Sequence, residues 1–269
     1  MPLRFALLLA LLLVARVEAQ PEWTPVFQGV CLTRILRQEP EPLAVYAVRI
    51  DLTAPGLSFL VSPPNGDRPL DTDAKKTGTF LHESGCQVAI NASPFLPLSR
   101  REGTPMDVVG ISVSKGNRYS EPNPPWWALL IAADNQARLV SQEGEVPAAH
   151  NAVGGFAMLL QNGVDVAEEG GPRHPRSCVG LSRDGKTMFL AVIDGRQPGY
   201  SVGATQQEAA GWMKFMGAWE ALNLDGGGSS ALVIQDEYGL PQVVNRPIER
   251  GVPGLQRPSA NHLGVFAQP

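Results

Sequence analysis

Long apolar runs are scarce in this 269-residue chain, and one near the start, Phe5–Ala15, stands out. Arg4 precedes it and Val17-Glu18-Ala19, a small-residue cleavage pattern, follows it, so residues 1–19 read as a secretory signal peptide. The run is too short to span a bilayer, which takes about 20 apolar residues, and no later segment qualifies. The mature chain is therefore expected to be secreted or periplasmic, with no transmembrane segment. Cysteine is almost as scarce. Cys31, Cys86 and Cys178 are odd in number and lack metal-site spacing, which argues against a disulfide-dense scaffold and a zinc module. In an exported chain they suggest one disulfide plus one buried thiol, although Cys86 and Cys178 lie in apolar surroundings that also suit plain core positions. Basic clusters are missing too. The formal charge is −4, and removing Arg4, Arg16 and Glu18, a net +1, takes it to −5. With no basic block or aromatic-interleaved basic stripe, nucleic acid is excluded as a natural partner. No repeat period or low-complexity linker divides the chain, so residues 20–44 read as a lead-in and 45–269 as one domain.

What is present is mostly strand. Val45–Leu52 alternates, and Cys86–Asn91, Val108–Ser114, Ala128–Ala132, Phe156–Gln161, Ser177–Leu181 and Met188–Asp194 are apolar runs between turn signals. Ala221–Asp225, Ala231–Gln235 and Val243–Asn245 continue the series. Asn162-Gly163 and Asp184-Gly185 mark turns, the latter a hairpin. The best helix opens at Thr205 with Glu208 three residues on, a capping box, carries Ala209, Trp212, Met213 and Met216 on one face, and stops at Gly217. A second helix is expected over Thr72–Glu83. The predicted fold class is α+β: a large, mostly antiparallel, bent sheet system with few helices packed on it, and a site at a rim of strand ends.

The richest stretch is Leu222–Ile234, in which Asp225 ends a short strand and is followed by Gly226, Gly227, Gly228, Ser229 and Ser230 before a second apolar run. Glycines allow close ligand approach, and successive free N–H groups in such a turn can cradle an anion; an ordinary hairpin would look similar. Met188–Ile193 likewise runs into Asp194-Gly195-Arg196. If these two strands point the same way, Asp194 and Asp225 share a rim, where burial and repulsion can separate their pKa values. His174 and Arg176 stand two apart at a strand start, and Arg196 follows Asp194; guanidinium forks suit phosphate or carboxylate. Asn91 and Asn245 close other apolar runs and Asn261 opens the last one, at strand ends where asparagine caps turns as readily as it binds substrate.

Together, Ile193–Thr205, Leu222–Ser230 and Asn245-Arg246-Pro247 resemble the signature of the phosphodiester glycosidase family, over roughly Val45 to Phe266. That family includes the uncovering enzyme that removes N-acetylglucosamine from mannose-6-phosphate diesters, and bacterial relatives associated with exopolysaccharide. The resemblance implies an exported hydrolase that cleaves a sugar-C1–O–P linkage in a glycan or envelope polymer, releasing free sugar and a phosphomonoester. It also implies a site drawn from Asn91, Arg176, Asp194, Arg196, Asp225, Gly226–Ser230 and Asn245. One departure is visible: where the family usually reads Asn-Gly-Gly-Phe-Phe, this chain has Asn91-Ala92-Ser93-Pro94-Phe95.

Glycosidic cleavage develops positive charge at C1 while the leaving phosphate stays negative. Asp225 is accordingly placed near C1, Asp194 as the second carboxylate, Arg176 with Arg196 as the phosphate clamp, and His174 as a titrating assistant. No cofactor is required; a divalent cation could use Asp194, Asp225 and backbone carbonyls, but no spaced ligand motif demands one. The rival reading is a non-catalytic module that binds phosphorylated polysaccharide or an assembly partner with the same groups. A serine hydrolase is disfavoured, because Gly227-Gly228-Ser229-Ser230-Ala231 misses the nucleophile-elbow pattern and leads into a strand.

Overall fold

Met188 through Ile193 are all buried, because the sheet that holds them is covered on both faces. The computed structural model describes residues 20–269; the expected signal peptide, 1–19, lies outside them. Eight strands form this sheet in the order Thr24–Phe27, Val30–Arg37, Leu43–Asp51, Thr187–Ile193, Arg176–Leu181, Glu220–Asn223, Met158–Gln161 and Val164–Asp165, every neighbouring pair antiparallel. A five-stranded sheet follows the order Pro241–Val243, Leu232–Gln235, Val88–Asn91, His262–Phe266 and Ser58–Val61. A second five-stranded sheet runs Asn117–Ser120, Ser112–Ser114, Asn151–Gly154, Trp127–Ile131 and Ala137–Ser141. One core joins all three: Val48, Leu190 and Leu222 from the large sheet meet Ile90, Leu232 and Leu263 from the second and Leu129 and Val153 from the third. Each such side chain contributes about 1.5–3 kcal/mol by leaving water. The architecture is thus α+β, mostly antiparallel, with two helices packed on it among the described residues.

Helix α1 (Thr77–Ser84) covers the second sheet with Phe80 and Leu81, and helix α2 (Gln206–Met216) covers the outer face of the large one. Both reciprocal bonds of the capping box start α2: the Thr205 hydroxyl accepts from the Glu208 N–H at 3.1 Å, and the Glu208 carboxylate accepts from the Thr205 N–H at 2.9 Å. Ala209, Met213 and Met216 are buried on Val45, Phe189 and Cys178, while Trp212 is only partly covered, with Arg37 over its ring at 5.5 Å.

Several sequence expectations need correction. Residues 20–44 are not a separate lead-in. Thr24–Phe27 and Val30–Arg37 are strands of the large sheet, and the boundary at 45 would cut an eight-pair ladder between Val30–Arg37 and Leu43–Ile50. The helix expected over Thr72–Glu83 begins only at Thr77, because Thr72 and Asp73 pair with Met106 and Pro105. Val108–Ser114 breaks into Pro105–Val108 and Ser112–Ser114 around Gly110, whose φ is +91°. No disulfide forms: Cys178 packs in the α2 core, Cys86 in the α1 core, and Cys31 sits half-exposed on the strand Val30–Arg37, so all three thiols are free.

Candidate functional site

The large sheet decides where the motifs meet. Strands Thr187–Ile193 and Glu220–Asn223 both pair antiparallel with Arg176–Leu181 from opposite sides, so they point the same way. Ile193 lies opposite Arg176 and Asn223 opposite Cys178, which puts Asp194 and Asp225 at the same rim, beside the start of the strand that carries Arg176. The shared direction that the sequence left conditional is therefore present.

Past Asn223 the chain leaves the large sheet for the second one. The Asp225 N–H donates to Ala92 O at 2.9 Å, and the Asp225 carbonyl accepts from Asn91 Nδ2 at 2.6 Å. Asn91 Oδ1 accepts from Ser177 Oγ at 2.7 Å and from the Ala231 N–H at 3.1 Å. With no exposed surface, Asn91 ties two sheets and the glycine turn together rather than lining an open site. Gly226–Ser230 then make a short 3-10 turn over Gly227–Ser229. Gly227 adopts φ +63°, where a side chain would be strained, and a Cβ on Gly228 would fall 2.1 Å from Glu249 Oε2 and displace that carboxylate from Arg257.

Against this turn lies a cavity of about 220 Å³. Arg176, Arg196, Arg257 and His174 line it together with Gly226–Gly228, Phe156 and Asn223. Arg176 is held by its Nε to Ala204 O at 2.9 Å and its Nη2 to Pro172 O at 3.2 Å. Arg196 sits in the left-handed region at φ +58°, its Nη2 3.3 Å from His174 Nδ1. Burial first, then the Arg196 and Arg176 charges, pushes His174 below the usual histidine range. The lowered pKa favours the neutral ring, whose Nδ1 accepts from Arg196.

Asp225 is flanked by two residues that line this cavity, Leu224 and Gly226, while its own carboxyl is buried behind them. Burial raises its carboxyl above the ordinary value, opposed by the Ser229 hydroxyl and the Arg257 charge. Its Oδ2 lies 4.0 Å from Arg257 Nη2 and has no hydrogen-bond partner. Arg257, which the sequence reading missed, also donates to Ser229 Oγ at 2.8 Å, pairs with Glu249 at 3.7 Å, and lies 5.9 Å from the Phe95 ring centre. It comes from a loop between apolar runs and carries no local spacing signal. Ser229 is buried under it, in a turn leading into the strand Leu232–Gln235 rather than a helix, so no nucleophile elbow exists here.

Asp194 does not line the cavity. Its carboxylate accepts from Asn245 Nδ2 at 2.7 Å, the Arg246 N–H at 2.8 Å and Tyr200 OH at 3.1 Å, and burial raises its pKa to about 6. Asn245 completes the anchor by accepting from the Leu232 N–H at 2.9 Å and donating to Ser230 O at 3.2 Å. These two residues fix the far side of the glycine turn and the backbone leading into Arg196. The two acids thus share a rim but not a cleft. Among the described residues no three His, Cys, Asp or Glu side chains gather as a metal site would require. The donor set at the cavity, three guanidinium groups without a lining carboxylate, suits an anion and repels a cation.

Residues 84–266 match the sequence model of the phosphodiester glycosidase family. The chain belongs to that family. No curated protein matches it in sequence. Solved structures share its fold. The catalytic domain of zebrafish N-acetylglucosamine-1-phosphodiester alpha-N-acetylglucosaminidase, auto-inhibited by its pro-peptide, superposes with TM-score 0.65 at 17% identity, covering 93% of this chain and 89% of that one. A hypothetical protein from Synechocystis gives TM-score 0.62 at 17% identity over 89% of this chain, which spans 62% of the Synechocystis chain. The family's glycine pair is replaced here by Ala92 and Ser93 without filling the cavity. Both side chains are fully buried, and Ser93 Oγ donates to Asn261 Oδ1 at 3.1 Å.

Proposed function

We propose that this protein is an exported hydrolase that cleaves a sugar-C1 phosphodiester, releasing a free sugar and a phosphomonoester. The observation that carries the reading is the cavity beside Asp225: three guanidinium groups, a neutral histidine and a glycine turn, in a chain of the phosphodiester glycosidase family. Arg176, Arg196 and Arg257 hold the phosphate, with His174 offering a neutral Nε2–H. Asp225 presents its carboxylate to the positive charge that grows at C1. The C1–O bond breaks, its oxygen leaves with phosphorus, and water supplies the hydroxyl at C1 and the proton that the departing group takes up. A phosphomonoester leaves readily as an anion, so the site needs no strong acid, in keeping with a histidine held neutral.

In this scheme Asn91, Asp194 and Asn245 are positioning residues, because each spends its side chain on backbone that carries Asp225, Arg196 or the glycine turn. N-acetylglucosamine is the first sugar to try, since the zebrafish enzyme of the same fold is named for it. The test is release of reducing sugar from a panel of glycosyl phosphodiesters by the purified chain, with at least one compound turned over. Saturable binding across the whole panel with no sugar released would replace the hydrolase by a glycan-binding module.

A further inference from the structure

The cavity is polarised along the rim of the large sheet. Its cationic side lies on Arg176 and at Arg196, past the ends of two adjacent strands; one strand further on stands Asn223, and beyond that Phe156, in the approach to Met158–Gln161. Strands lie about 4.8 Å apart, so the Phe156 side sits about 10 Å from the strand of Arg176. That is room for a pyranose ring beside a phosphate. We propose that Phe156 and Asn223 form the sugar half of this cavity, with Asn223 hydrogen-bonding a ring substituent and Phe156 covering the ring's apolar face. The proposal rests on the phosphodiester reading above.

The decisive contrast is among buried asparagines at this rim. Asn91 Oδ1, Asn245 Oδ1 and Asn261 Oδ1 each accept hydrogen bonds from the protein. Asn223 is equally enclosed, 3% exposed, yet its Oδ1 has no partner. Leaving a buried amide unsatisfied costs about 1–3 kcal/mol, and such groups persist where a ligand completes them. The backbone around it is rigid: the Asn223 N–H donates to Ala157 O at 3.0 Å, and its carbonyl accepts from the Phe156 N–H at 2.8 Å, which locks the two residues side by side. Trp126 backs the Phe156 ring edge-on, with centroids 4.7 Å apart at 66°. A flat apolar face next to a single free amide is the combination that binds a sugar, whose ring presents C–H groups on one face and hydroxyls at its edge.

The test measures binding by calorimetry, with inorganic phosphate and glycosyl phosphodiesters as probes, for wild type, Asn223→Leu and Phe156→Leu. Both variants should bind the diester about tenfold more weakly and inorganic phosphate within about twofold of wild type. A diester lacking one ring hydroxyl should bind wild type about tenfold more weakly than its parent, and Asn223→Leu should no longer tell the two apart. Because leucine relieves an unsatisfied amide, Asn223→Leu should melt no lower than wild type, whereas a merely structural asparagine would lower it. Unchanged diester affinity in both variants, or an equal loss of phosphate affinity, would overturn the sugar half. Wild type that binds diesters without releasing sugar removes the hydrolytic reading alone, and the affinity differences then still decide the role of Asn223.

Discussion

Asn91→Ala removes the side chain that joins two sheets to the glycine turn. Three groups lose their partner: the Asp225 carbonyl, the Ala231 N–H and the Ser177 hydroxyl. The hydroxyl can turn to another acceptor, but the two backbone groups cannot, and each buried orphan costs about 1–3 kcal/mol. A loss of about 4 kcal/mol follows, with the small void left by the amide included. For a domain of this size about 2–4 °C of Tm goes with each kcal/mol, so melting should fall by about 10 °C. Catalysis should suffer separately. Freed from its anchor, the Asp225 backbone drifts by a fraction of an ångström, and kcat on a glycosyl phosphodiester should drop about 100-fold well below the melting point. Thermal melts and single-turnover sugar release on the same preparation measure both effects. A variant melting within about 2 °C of wild type with kcat intact would refute the claim that Asn91 positions Asp225.

Other consequences are as direct. Asp194 titrates near 6 when folded and near the ordinary carboxylate value of about 3.9 when unfolded, so the folded state holds the proton more tightly. That contribution, about 3 kcal/mol, is complete below about pH 4 and is lost as pH rises through about 6; urea unfolding over this window should show it as an extra downward slope of wild type relative to Asp194→Asn. Arg196→Ala should raise KM for a glycosyl phosphodiester by about 100-fold with little change in Tm, and the loss should shrink as salt rises. Alkylation of the non-reduced protein should label Cys31 in the native state and all three thiols after unfolding; any pair resistant after unfolding would expose a disulfide.

Local signals survive folding best. The capping box at Thr205 and Glu208 and the Asp-Gly ends of two strands are read within a few residues, and the structure contains them as such. Even the shared direction of those strands was legible as a condition, because a strand between them was all it required. Asp194 shows where local reading stops. Its neighbours Gly195 and Arg196 suggested a cavity carboxylate, but Tyr200, Asn245 and Arg246 turn it into an internal anchor, and Asn245 and Arg246 come from the segment that follows a strand of a different sheet. Arg257 was invisible for the same reason: its meaning comes from Asp225, Ser229 and Glu249, which meet only in three dimensions. Asn223 could have been found. It is the last residue of the strand that leads to Asp225, a polar side chain closing an apolar run just before the acid. The cysteines misled because their spacing says nothing about which layer each enters.

If the Asp225 carboxylate faces the anomeric carbon, sugar release from a glycosyl phosphodiester depends on its charge, which Asp225→Asn assayed beside wild type reads out. The substitution keeps the shape and removes a buried charge, so the variant should melt no lower than wild type and bind the substrate, yet release sugar at least about 1000-fold more slowly. Wild-type rates from a folded Asp225→Asn protein would contradict the account.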